Sequence, residues 1–226
     1  MAIKIIVSYD GTSNDRDALA LGRLLASGGG TLELAYVRHA HETESGRERL
    51  AEQEVGALLA AGAAAIDQPD VPQHIVISAS TPTGLRELAV AECADVIVFG
   101  SEYRTAPGSV DPQASARRLL DGGPVAVAIA PSGFADKAGE YTVAKIAALG
   151  EDGDPCALET AESLSQTLGG AVTEPASGSA DLVVVGSKPG TVTGRVTISA
   201  AAEYLIELSR CPVIVIPRGV TVRFGG

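Results

Sequence analysis

The chain has 226 residues, 46% of them hydrophobic and 20% charged, with a formal net charge of −11 and a pI near 4.7. An acidic surface repels phosphate backbones and anionic lipid. With eight Phe and Tyr and no Trp there is also no platform for stacking single-stranded bases, so the expected partners are small molecules or proteins, not nucleic acid or membrane. Cys93, Cys156 and Cys211 lack a CxxC spacing, which excludes a disulfide framework and a zinc knuckle. With no signal-peptide core and no apolar run of membrane-spanning length, the expectation is a soluble protein of a reducing cytoplasm.

Residues 3–7 read as a first strand, ended by the turn Asp10-Gly11-Thr12-Ser13-Asn14, where Ser13 or Asn14 is placed to cap a helix. Ala18, Leu21, Gly22 and Leu25 recur at helical spacing and lay one stripe on a sheet, until Gly28-Gly29-Gly30 stops the helix. Residues 32–37 form a second strand, leaving through a polar loop, Arg38-His39-Ala40-His41. Ser45-Gly46-Arg47-Glu48 matches a capping box, and Ala51, Val55, Leu58, Gly62 and Ile66 give the next helix its inner face. After a turn at 67–72, residues 74–78 form a third strand. Thr81-Pro82 supplies a cap and a first-turn proline for a helix buried through Leu85, Leu88 and Ala89. Strands at 95–99 and 125–129 complete a five-stranded, mostly parallel sheet with helices on both faces.

The run Ala94-Asp95-Val96-Ile97-Val98-Phe99-Gly100-Ser101 then returns as Ala180-Asp181-Leu182-Val183-Val184-Val185-Gly186-Ser187. Each is followed by a Gly/Ser/Thr-rich loop, a helix and a proline-led apolar strand, with Pro124 lying 24 residues after Gly100 and Pro212 lying 26 after Gly186. The chain is a tandem repeat. Residues 1–131 form the first copy, 132–141 a linker and 142–226 the second, with a strand at 143–149, an acidic turn Glu151-Asp152-Gly153-Asp154, a helix over 155–168 and a short strand at 171–174. Asp10 to Gly100 spans 90 residues but Asp152 to Gly186 only 34, so the second copy is abridged by roughly a strand and two helices. The apolar strands at 125–129 and 213–216 would each be exposed edges unless they pair with one another, which makes the molecule an internal pseudo-dimer.

Ligands of a doubly wound sheet bind beyond the carboxyl ends of the strands, where the strand order reverses. Asp10 could accept a hydrogen bond from a ribose or an adenine amino group there, and backbone N–H groups could hold phosphate. Asp10-Gly11-Thr12 near the start, Ala-Asp-(apolar)₄-Gly-Ser, a glycine-dotted loop and a Pro-Val-(apolar) strand, seen twice, together resemble the universal stress protein family.

That resemblance implies a Rossmann-like fold of the HUP type and, in members with a G-x₂-G-x₉-G-[ST] loop, an adenine-nucleotide site for ATP or AMP. Carried onto this chain, the site comprises Tyr9, Asp10, Gly11, Val37, Gly100, Ser101, Arg104, Gly108, Ala114 and Ser115. The chain departs from the motif at Tyr103 and Gln113-Ala114 in the first copy and at Pro189 and Ser199-Ala200 in the second. Two readings follow: a stress-response binding protein with nucleotide in the first copy, or a nucleotide-free protein-interaction scaffold, either able to associate as a homodimer. An enzyme or flavin carrier on a related fold is a third class, but no GxSxG, Walker A, HExxH or GxGxxG pattern supports catalysis.

Other polar groups have plainer readings. Arg104 and Arg195 are solvated loop arginines unless they reach phosphate. His39 and His41, with Glu42 and Glu44, lack a further fixed metal ligand, and Glu151, Asp152 and Asp154 make a helix-start acidic turn. Cys93 and Cys211 are small apolar fillers at the ends of buried elements.

Overall fold

Short β-branched runs alternating with amphipathic stretches give nine strands and six helices among the residues described, 2–39, 48–174 and 180–225 of the computed structural model. The first copy runs β1 (Lys4–Ser8), α1 (Asp15–Ala26), β2 (Thr31–His39), α2 (Glu48–Ala65), β3 (Gln73–Ser78), α3 (Thr81–Ala91), β4 (Val96–Gly100), α4 (Ala114–Leu119) and β5 (Ala126–Ala130). The second runs β6 (Lys145–Leu149), α5 (Cys156–Leu168), β7 (Ala171–Thr173), β8 (Leu182–Val185), α6 (Ala200–Leu208) and β9 (Val213–Val215).

All nine strands join one sheet in the order β3-β2-β1-β4-β5-β9-β8-β6-β7. Within each copy neighbours are parallel. At the seam β5 pairs antiparallel with β9, matching Val127 with Val215, Ala128 with Ile214 and Ile129 with Val213. The two apolar strands thus cover each other's edges, as their composition requires. Their side chains divide between two cores. Ala126, Ala128 and Ala130 face the side covered by α1 and α2, whereas Val127 and Ile129 face the side of α3, α4 and α6.

The copies superpose by fixed offsets. Val98 pairs with Ala128 as Val184 pairs with Ile214, each 86 residues later; Ile5 pairs with Val96 as Ile146 pairs with Leu182, setting β6 141 residues after β1. The backbone N–H of Lys4 donates to Asp95 Oδ2 at 2.8 Å, and that of Lys145 to Asp181 Oδ2 at 2.9 Å. Among the described residues the second copy has no counterparts of α2, β3 and α3, the strand and two helices that the spacing predicts. The two prolines are not equivalent, however: the 86-residue offset carries Ala126, not Pro124, onto Pro212.

Several local expectations are corrected. Asn14 occupies the cap position of α1 but makes no side-chain cap; the first-turn Asp15 instead accepts from the N–H groups of Asp10 and Thr12. β2 continues through Arg38 and His39, which removes them from the expected polar loop; Arg38 is only 3% exposed. The cap of α3 is Ser80, one residue before Thr81, accepting from Thr83 N at 3.4 Å. Cys93 is exposed at φ +52° in the turn after α3, so it fills no core, whereas Cys211 is buried, and burial with nearby Asp181 pushes its thiol up to about 12. The capping box at 45–48 and the partners offered to His39 at 41–44 lie outside the described residues, save Glu48 at the head of α2.

Segment 132–141 is packed down. Phe134 is 3% exposed, its ring 4.8 Å from that of Tyr141, and Asp17 of α1 accepts from Gly133 N at 2.9 Å and Ala135 N at 2.7 Å. The C-terminal tail lies along α5 in the same way, with Val222 N donating to Thr160 Oγ1 and Phe224 N to Ser163 Oγ. No described helix is long and apolar enough to cross a membrane.

Candidate functional site

The strand order reverses between β1 and β4 in the first copy and between β6 and β8 in the second, which places a crevice at each switch point. Both floors are built alike. Ser101, 1% exposed, donates from Oγ to Ala130 O at 2.7 Å and accepts from Asp111 N at 3.2 Å; Ser187, also 1% exposed, donates to Ile216 O at 2.7 Å and accepts from Thr197 N at 3.2 Å. Glu102 N reaches Asp111 O and Lys188 N reaches Thr197 O, both at 2.8 Å. Gly108 and Gly194, at φ +81° and +78°, donate to Ser132 O and Arg218 O. With Ser109 O and Arg195 O also within reach, at 3.4 and 3.3 Å, each buried hydroxyl serves three main-chain groups and fastens its loop, so Ser101 is removed from the set able to touch a ligand through its side chain.

The first crevice gathers most of the other predicted residues. Gly100 must be glycine because a Cβ there would lie 2.2 Å from Asn14 O, where the β1–α1 turn crosses β4. Asn14 seals this crossing by donating from Nδ2 to Ser101 O at 2.6 Å. Gly11 turns at φ +81° beneath Leu58 of α2, whose Cδ1 stands 2.3 Å from the site of a Cβ. Val37 is 8% exposed and Tyr9 9%, both walls more than donors. Asp10 is exposed, its Oδ1 accepting from Thr12 N at 3.2 Å. Beneath it, burial reinforced by the Asp10 carboxylate pushes the Asp15 carboxyl up to about 7.

Gly108 lies in the loop after β4, and Ala114, exposed, and Ser115, half-buried, open α4. Arg104 is exposed and stacks over the Tyr103 ring at 4.9 Å, and Gln113 donates from its side chain to Gly100 O at 3.4 Å. The residues that break the glycine motif therefore have local partners.

In the second crevice protein groups take the equivalent room. Glu151, and not Asp152 as the spacing suggests, stands at the position of Asp10, and its carboxylate accepts from the Ser199 hydroxyl at the head of α6. Arg218 donates to Glu151 O at 2.9 Å and to Ser187 O at 3.5 Å, and its Nε lies 3.4 Å from Asp154 Oδ2. Burial alone would raise the Asp154 carboxyl, but hydrogen bonds from Cys156 and Gly219 and the Arg218 charge hold it below the usual range. Arg195 turns away toward Gly122 of the first copy. Sequence reasoning missed Arg218, which follows a strand end and carries no motif.

No family model and no curated protein matches the sequence. Among solved structures the chain is similar to protein PA1789 of Pseudomonas aeruginosa PAO1, described as functionally unknown, at 13% identity and a TM-score of 0.64 over 96% of this chain and 93% of that one. It is similar to a universal stress protein of Archaeoglobus fulgidus DSM 4304 at 13% identity and a TM-score of 0.61, over 96% of each chain. The likeness runs through both copies, and the fold is that of universal stress protein structures.

Proposed function

We propose that this chain is a universal-stress-protein-like binding protein that acts by holding a ligand rather than by turnover, and that only its first crevice takes an adenine nucleotide, ATP or AMP. One observation carries the reading: the Asp10 side chain is exposed at the first switch point, whereas at the second the Glu151 carboxylate accepts from Ser199 and its main-chain carbonyl from Arg218. In the first crevice Asp10 accepts from the ribose or adenine, Val37 supplies an apolar wall, and Gly108, Ser115 and a released Arg104 face the phosphates. Releasing Arg104 from Tyr103 costs about 0.5–1 kcal/mol, the value of an exposed cation–π contact. The cytoplasm, where all three free cysteines stay reduced, is the compartment this reading assigns.

The test is to denature purified protein and read the released small molecules by mass spectrometry, and to follow thermal unfolding with millimolar ATP. Bound ligand at 100 times Kd stabilises by about 2.7 kcal/mol. The expected result is one nucleotide per chain, a shift lost in Asp10→Ala and kept in Glu151→Ala. An empty protein with an unmoved melting temperature favours the second reading, a nucleotide-free scaffold. Five loop N–H groups, those of Glu102, Thr105, Gly108, Ser109 and Asp111, support that alternative because each is already bonded within the protein.

A further inference from the structure

At the opposite end of the first copy's strands, away from both crevices, three side chains from separate stretches of chain converge. Glu33 lies near the start of β2, His74 near the start of β3, and Glu92 just after α3; one donor atom of each lies within 4.8 Å of the others. The pleat explains the meeting. Glu33 shares a sheet face with Ala35, whose parallel register partner is His74, and α3 ends over that face. Glu33 is 5% exposed, and its Oε2 is 2.8 Å from His74 Nε2.

A cation already stands among these groups. The Lys4 ammonium lies 3.2 Å from Glu33 Oε1 and 3.1 Å from Glu92 Oε2. Its side chain is 28% exposed and borders an open cleft of about 640 Å³, also lined by Glu33, Asp67 and Asp70. The long arm of lysine can therefore turn outward without unfolding anything, into a cleft whose carboxylates receive it.

We propose that Glu33, His74 and Glu92 form a binding site for a divalent transition metal of the zinc and cobalt class, with Lys4 as the resident cation that the metal displaces. Two carboxylates and a neutral imidazole balance a doubly charged ion once the ammonium has left. A mixed nitrogen and oxygen donor set favours these metals over magnesium or calcium, and three protein ligands leave a position for water. The second copy cannot repeat the site. Lys145 matches Lys4, but Thr173 stands where Glu33 would be, and among the described residues the elements that carry His74 and Glu92 have no counterpart.

The site is tested by titrating metal-free, full-length protein with Co²⁺, followed by its visible ligand-field absorption, and with Zn²⁺ by calorimetry. One ion should bind per chain. His74→Ala and Glu92→Gln should each weaken binding about tenfold or more, and Lys4→Met should tighten it about tenfold by removing the competitor. A plain ion-pair cluster gives the opposite for the last variant: lost stability and no metal uptake. Absence of the cobalt band in both wild type and Lys4→Met, or affinity unchanged in His74→Ala, would overturn the proposal. Both ligand variants sit at partly exposed positions, side chains 21% and 35% accessible, so circular dichroism should report an intact fold even where Glu33→Gln does not fold.

Discussion

The loop after β4 and the loop after β8 have almost unrelated sequences and nearly the same hydrogen bonds. Ser101 and Ser187 reach acceptors 29 residues on, and Asp111 and Thr197 return their N–H groups to those serines from ten residues on. What differs is the group that seals each crevice. Asn14, a short amide from the β1–α1 turn, holds Ser101 O; Arg218, a long cation from the tail after β9, reaches Ser187 O and ties Glu151 and Asp154 to it. The loop is thus a self-supporting structure fixed by one serine and its bonded glycine, and the group that seals each crevice can change without losing the loop. Among the described residues the second copy lacks a counterpart of α2 and its Leu58 over the first turn, and there Arg218 takes the sealing role that Asn14 has in the first.

The sharpest way to break this comparison is at the seam the copies share. Ile214→Ala empties a fully buried position opposite Ala128 and is expected to cost about 2–5 kcal/mol by urea unfolding, in a single transition that takes both halves together. Two separated transitions would mean that the copies are independent. Next come the two seals. Arg218→Ala should cost about 2–3 kcal/mol because it takes the counter-charge from the 9%-exposed Asp154 carboxylate, leaving it only the Cys156 and Gly219 donors, and also frees the Glu151 and Ser187 carbonyls, against about 1 kcal/mol for Asn14→Ala, which frees one neutral carbonyl. Equal losses would erase the difference drawn between the crevices.

Ser101→Ala and Ser187→Ala should then match each other, each costing about 1–2 kcal/mol in thermal unfolding, since each leaves the same buried acceptor and donor unpaired. A neutral result for one alone would show that the shared geometry hides unequal energetics. The last difference between the copies is read through pH and lies at Asp15, whose counterpart is Cys156. Its carboxyl is raised from 3.8 to about 7, so the folded state holds its proton more tightly than the unfolded chain does. The stability this lends is whole below about pH 4 and is lost as pH rises toward 7. In Asp15→Asn one amide oxygen still accepts from Asp10 N and Thr12 N while the amide donates to Asp10, and the slope of stability between pH 4 and 7 should flatten. An unchanged slope would place the titration elsewhere.

Much of this molecule could be read from residue order. The doubled Ala-Asp-(apolar)₄-Gly-Ser run, the shorter span before its second occurrence and the continuous apolar character of the two last strands give the tandem copies, the missing elements and the seam. Apolar periodicity is local and survives in one dimension. The misreadings are also instructive. Proline before an apolar run reads as an equivalent landmark in both copies, yet strand register makes Pro212 the counterpart of Ala126, because hydrogen bonding counts residues from the paired strand and not from the helix before it. Asn14 had the composition of a cap, but its amide was taken by a carbonyl 87 residues away.

Sequence by itself determined the class of fold, the duplication and which strands had to hide their edges, since each follows from where apolar side chains recur. Only the tertiary structure decided which polar groups are spent. Ser101 is consumed by the floor of its own loop, Arg218 closes the second crevice, and Lys4, Glu33, His74 and Glu92 meet from positions up to 88 residues apart. Burial follows a pattern along the chain, whereas a hydrogen bond or an ion pair needs its partner's coordinates, and those are set by how β-strands far apart in sequence come to lie side by side.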